Sequence, residues 1–179
     1  MGKPLDAGQG DALSLDAAIS LFDEAEPATL EQMIGRWRGR GVDTGHPMDG
    51  MLEAASWTGK EFCDASTVFP LLHHLPLRGE VRLNPARLPI GLVMGLPARD
   101  KILPIVFPFL APLFMTKRPA ATLRHVGFRG RAHAAMVYDA LPIIDYFASL
   151  SPDTVLGWME RRGDSRPFFF KLTREMRVQ

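Results

Sequence analysis

Hydrophobic positions change their period along this chain. Leu15, Ala18, Ile19 and Phe22 recur at three- and four-residue intervals. That is the stripe of an amphipathic helix over residues 14–25, with Ser14 at its N-cap and Pro27 beyond its end. Thr29 and Gln32 stand in capping-box spacing and predict a second short helix over residues 29–34. From Gly35 the period becomes two. Gly35, Trp37 and Gly39 share one parity, while Arg36, Arg38 and Arg40 share the other. This predicts a strand over residues 35–42 with one wet face and one face holding an indole between glycines, which leave room for a bulky neighbour. Residues 43–50 read as a loop, with Asp49 capping a short helix from Met51 through Trp57. Strands are expected at residues 68–75 and 80–83, kept short by Pro76, Pro85 and Pro89. The last third is strand-like at 122–129, 134–139, 143–148, 154–160 and 168–175, with residues 161–165 as a hairpin loop.

Between these halves, residues 102–115 are almost unbroken in apolarity. A membrane-spanning helix needs about 20 such residues, so this run is too short. Pro104, Pro108 and Pro112 recur every four residues and kink any helix formed there. Three roles fit: a buried kinked helix, a portal cap within the wider segment 95–118, and a membrane contact.

The final strand carries a clue to closure. Phe168, Phe170, Leu172 and Arg174 share one face. An arginine ending an apolar face needs a partner, because an unpaired buried charge is costly. Trp37 can supply one, since a guanidinium over an indole contributes about 0.5–2 kcal/mol. Pairing of the early and late strands would close the sheet and remove its edges. The expected fold is therefore mainly β: an antiparallel barrel with N-terminal helices and a Pro-rich apolar helical insertion.

The Gly35-x-Trp37 strand with a late Arg174 resembles the calycin superfamily, the lipocalins and fatty-acid-binding proteins. The resemblance implies that this tryptophan packs under the arginine at the closed end of a lipocalin-like barrel. A more extensive similarity is to a bacterial family named for its GXWXG motif, in which that domain is followed by one of unknown function. The motif is Gly35-Arg36-Trp37-Arg38-Gly39, followed by Thr44-Gly45-His46-Pro47-Met48-Asp49-Gly50 and Trp57-x-Gly59-Lys60-x-Phe62. The second half is similar at Met136-Val137-Tyr138-Asp139-x-Leu141-Pro142-Ile143-x-Asp145-x-Phe147, at Asp153-Thr154-Val155-Leu156-Gly157 and at Phe168-Phe169-Phe170-x-Leu172-x-Arg174. It implies one folded unit over 1–179, with a GXWXG-type part at 28–90 and a strand-rich part at 119–177. It implies no particular activity.

Composition narrows the function classes. The 179 residues are 46% hydrophobic and 23% charged, a globular balance. A lone cysteine, Cys63, excludes an intrachain disulfide and suits a reducing compartment. It lacks an evident base and reads as a small apolar filler. Residues 1–9 lack the apolar core of a signal peptide, and Asp6 stands where a myristoylation signal has Ser or Thr, so a cytoplasmic location is expected. Residues 1–31 hold seven acidic side chains against Lys3, whereas residues 117–131 hold five basic ones and no acid. The basic stretch reads first as a solvated face and also suits an anionic headgroup or carboxylate. With a net charge of +1 and no binding signature, nucleic acid is not an expected partner.

Candidate chemistry is sparse. Asp139 and Asp145 flank Leu141-Pro142-Ile143 and suit either acid–base work at an apolar cavity or backbone bonding at that turn. Tyr138 offers a hydroxyl to a ligand. Arg124 and His125 are neighbours on a strand, so only one of them can face inward. His46 sits in a loop between Asp43 and Asp49. His73-His74 lacks metal-ligand spacing, the glycines do not form a dinucleotide fingerprint, and no phosphate loop occurs, so no cofactor or metal is expected. The leading expectation is binding of a hydrophobic molecule (fatty acid, isoprenoid or phospholipid) in a barrel cavity. Trp37, Arg124, His125, Tyr138 and Arg174 are its candidate ligand contacts. One alternative is a cofactor-independent isomerase, cyclase or hydratase using Asp139, Asp145, Tyr138 or His46. The other is a peripheral module on anionic membranes.

Overall fold

The computed structural model describes residues 12–89 and 99–176. The expectations for residues 1–9, for the first two acidic side chains and for positions 95–98 of the cap lie outside them. Among the described residues ten strands follow in chain order: β1 Glu26–Pro27, β2 Gly35–Val42, β3 Trp57–Phe62, β4 Val68–Leu75, β5 Gly79–Arg82, β6 Ala121–Phe128, β7 Arg131–Tyr138, β8 Ile143–Ser151, β9 Thr154–Arg161 and β10 Phe168–Arg174. Eight close an antiparallel barrel in the order β8-β7-β6-β4-β3-β2-β10-β9, with β9 returning to β8. Strand β1 extends β8 outside this ring, and β5 pairs with β4. The ring therefore consists of two arcs, three strands from residues 35–75 and five from residues 121–174, joined at β2–β10 and at β4–β6. Arg174 lies opposite Trp37 in the β2–β10 register.

Two apolar layers hold the barrel. Inside, Trp37, Phe62, Leu123, Met136, Phe147, Phe168, Phe170 and Leu172 form the main core. Outside, helix α1 (Leu15–Glu24) lays Ala18 and Phe22 on Val42, Tyr146, Trp158 and Phe169. This explains why consecutive residues Phe168, Phe169 and Phe170 are all buried: successive strand side chains face opposite sides, and both sides are covered. Ser14 caps α1 by accepting from the Ala17 N–H at 3.1 Å. Helix α2 (Leu30–Met33) is capped by Thr29, but the capping box is only half made. The Gln32 amide instead donates to Ser149 Oγ at 2.9 Å and to the Ser151 carbonyl at 3.0 Å, tying α2 to the end of β8.

Two local expectations are corrected. Helix α3 spans only Met51–Ala54 and follows Gly50, which takes a left-handed conformation with φ 74°. Asp49 does not cap it; its carboxylate accepts from the Thr44 and His46 N–H groups and closes the preceding loop. Trp57 begins β3 and lies outside that helix.

The proline-rich insertion forms helix α4 (Arg99–Leu110), with Pro104 and Pro108 inside it, then a 3₁₀ turn at Ala111–Phe114. Strands β4 and β6 share a single paired position, Val68 with Ala121. Phe107 and Ala111 of the insertion pack on Ala55, Leu75 and Val81. No helix among the described residues is long and apolar enough to cross a membrane.

Candidate functional site

The GXWXG strand organises the α2 end of the barrel. The Arg174 guanidinium lies 4.4 Å from the centre of the Trp37 ring. It also donates to the Ile34 carbonyl, to the Gln32 carbonyl and to the Asp153 carboxylate. The Trp37 indole N–H donates to the Met33 carbonyl at 2.8 Å. A Cβ on Gly35 would lie 3.1 Å from Arg174 Nη1, and one on Gly39 would lie 2.0 Å from the Trp57 ring. The motif thus consists of the indole and the two spaces that let Arg174 and Trp57 approach β2.

Trp57 leads to the opposite end, where the barrel interior opens into a cavity of about 260 Å³ beneath α3 and α4. Its walls are almost wholly apolar, including Met51, Leu71, Leu103, Phe107, Met159 and Phe170. Among them lie Lys60, His73, Tyr138, Asp145 and, from the end of β9, Arg161. Lys60 and Asp145 are 3% and 0% exposed, and their Nζ and Oδ2 atoms are 3.0 Å apart. Lys60 Nζ is also 3.4 Å from the Pro70 carbonyl, 3.5 Å from Tyr138 Oη and 4.8 Å from the centre of the Phe170 ring.

A bulge brings Lys60 inside. Trp57 pairs with His73 and Glu61 with Phe69, but Gly59 pairs with Leu72, so Pro70 and Leu71 face the single residue Lys60. Pro70 has no N–H to lose from the ladder. Gly59 sits at φ 149°, where a Cβ would lie 1.8 Å from the Trp37 carbonyl oxygen. Only glycine fits there.

Burial disfavours charge in this floor. It raises the Asp145 carboxyl above the usual carboxylate range, with Lys60 opposing the shift. It also pushes the Tyr138 hydroxyl well above its ordinary value, helped by Asp145. Burial lowers His73 to about 4. His73 is therefore a neutral imidazole at pH 7, with Nδ1 2.7 Å from the Ala55 carbonyl and its ring against Phe107.

The candidates from sequence fall into three groups. Tyr138 and Asp145 meet at the cavity floor. Trp37 and Arg174 meet at the α2 end and do not line the cavity. Asp139, Arg124 and His125 are exposed and outside the cavity lining; Arg124 bonds Thr122. The two aspartates therefore do not face each other across a substrate space. His46 is buried against Phe168 and accepts from the Met48 N–H, which makes it a loop brace. Sequence reasoning missed Lys60 as a site residue, and His73 as a cavity residue. The signal for Lys60 was its shared parity with Phe62 after Gly59. Among the described residues no grouping of three His, Cys, Asp or Glu side chains is close enough to hold a metal ion.

Comparison with known proteins places these features in both halves of a recurring architecture. Residues 20–75 match the family described as "GXWXG protein", and residues 119–174 match "Domain of unknown function (DUF4334)". No curated protein matches the chain. A solved structure described as a protein from Thermomonospora curvata is similar with a TM-score of 0.71 and 31% identity, over 93% of this chain and 91% of its own.

Proposed function

Because the chain belongs to the family of GXWXG proteins that carry the DUF4334 domain, we propose that its role resides in the barrel both segments build: reversible binding of a lipid-like molecule beneath α4. The observation that carries this reading is the apolar cavity of about 260 Å³ with a buried polar floor. Such a site suits a ligand with an apolar body and one small polar head. Each methylene removed from water contributes about 0.8 kcal/mol, so a chain or isoprenoid body supplies affinity without many polar contacts. Fatty acids, isoprenoids and phospholipids are the candidate classes. Native mass spectrometry of gently purified protein, with organic extraction of the same sample, tests the proposal. A copurifying or added apolar molecule bound at one per chain is expected. Failure to bind any member of a panel of these three classes contradicts it.

A second reading has its own observation. The outward face of α4 and the turn after it is as apolar as the face over the cavity: Ile105 is 68% exposed, Phe109 80% and Leu113 69%. These residues repeat every four positions, one helical stripe, and Lys117 and Arg118 follow in the sequence. This supports docking of the insertion on an anionic lipid surface that supplies the ligand. Flotation with phosphatidylglycerol-containing vesicles is expected to recover the protein, and Phe109→Asp to abolish recovery. Equal recovery of both proteins contradicts the reading.

A further inference from the structure

The size of the cavity bounds the molecule it can enclose. Its volume is about 260 Å³ and its walls are almost wholly apolar. An apolar chamber of about 150 Å³ in a protein core stays dry and holds one benzene ring, six carbons. At that packing, 260 Å³ holds about ten carbons. Sites for larger, drug-sized ligands begin at about 300 Å³. The aromatic walls are held in place. Trp57 fills the space that Gly39 leaves on β2 and meets Phe170 edge-on, and Phe107 lies against the His73 ring. The cavity reaches the surface along α4, where Ile102, Val106 and Leu110 line it and are 42%, 40% and 46% exposed. Carbons that do not fit the chamber leave it past these residues and meet water.

We infer that the cavity encloses a compact apolar body of about ten carbons, a medium-length alkyl group or a ten-carbon isoprenoid, in preference to the long chains of membrane lipids. A long acyl chain overfills the chamber, and a diacyl phospholipid brings two of them. Each methylene taken from water tightens binding about fourfold, so selection by length needs no polar contact. Affinity climbs while methylenes enter the chamber and levels off once it is full. This inference rests on the binding role proposed above and narrows its ligand by size.

The test is equilibrium titration of the full chain at pH 7 with straight-chain primary alcohols from hexan-1-ol to tetradecan-1-ol, and with the isoprenoid alcohols geraniol and farnesol. Affinity is expected to rise about fourfold per methylene up to decan-1-ol, and by less than about twofold per methylene beyond it. Farnesol, the longer isoprenoid, is expected to bind no more than about twofold tighter than geraniol. Leu71 and Ala55 both line the cavity. Leu71→Ala removes about three carbons of wall and is expected to move the break to about thirteen carbons, while Ala55→Leu adds about as many and is expected to move it to about seven. A fourfold rise that continues through tetradecan-1-ol overturns the size limit and leaves the binding role standing. So does a break below about eight carbons, or one that stays at decan-1-ol in whichever of the two variants folds. Binding of none of the alcohols overturns both readings.

Discussion

The barrel holds a cation against aromatic side chains at each end, and the two are built to opposite standards. At the α2 end, Arg174 lies over Trp37 with its guanidinium on two backbone carbonyls and a carboxylate. At the α4 end, Lys60 lies among Trp57, Tyr138 and Phe170 and faces an aspartate whose second oxygen has no partner among the described residues. In the first, Trp37 is 1% exposed and the guanidinium donates to three acceptors. The second is more deeply buried and leaves an aspartate oxygen unmet among side chains that line a cavity. A fold that satisfies one charge so fully has no architectural need to leave the other unmet. The contrast marks the α2 end as the clasp of the barrel and is what the binding role proposed for the α4 end accounts for.

Substitutions can break or sharpen this contrast. The largest effect is expected from Trp37→Ala, which opens a hole in the clasp and should cost about 4 kcal/mol of unfolding free energy in denaturant titration. Lys60→Met leaves Asp145 buried without its partner and should cost about 3 kcal/mol, whereas Lys60→Met/Asp145→Leu should restore or exceed the parent stability. A double variant as unstable as the single one would make the Lys60 pair structural, like its counterpart. Acid should act at the α4 end. His73 is lowered from 6.5 to about 4, so between those values the unfolded chain binds a proton that the folded chain refuses. Stability should therefore fall as pH drops from 6.5 to 4, by about 3 kcal/mol. His73→Gln should flatten that part of the profile. The smallest effect is expected from Arg174→Lys, which keeps the charge but loses the fork on the Gln32 and Ile34 carbonyls, about 1–2 kcal/mol.

The two ends were not equally legible. The clasp follows from strict alternation: Gly35, Trp37 and Gly39 on one parity of β2, and Phe168 through Arg174 on one parity of β10, need no irregularity to meet. The late strands were readable for the same reason, as turns separate them cleanly. The cavity floor depends on a break in alternation. Trp57 and Lys60 are an odd number of positions apart and face the same interior because the register slips at Gly59. Parity counting from Trp57 therefore puts Lys60 outside. Asp145 looked like a turn aspartate beside Pro142, yet it sits two residues into β8 on the parity of Ile143 and Phe147. His73 was set aside because two adjacent histidines on a strand point apart, which is true. His73 is buried and His74 exposed, and that same divergence puts one of them in the cavity.

The three tryptophans place a probe in each region: Trp57 lines the cavity, Trp37 sits in the clasp, and Trp158 lies under α1 outside the barrel. Their indole N–H resonances, followed by ¹H–¹⁵N correlation spectra during titration with decan-1-ol, test the central claim directly. Binding at the α4 end predicts that the Trp57 signal moves to a saturable endpoint while those of Trp37 and Trp158 stay in place. A saturable shift of Trp37 with Trp57 unmoved, or three signals that remain fixed throughout, would contradict it.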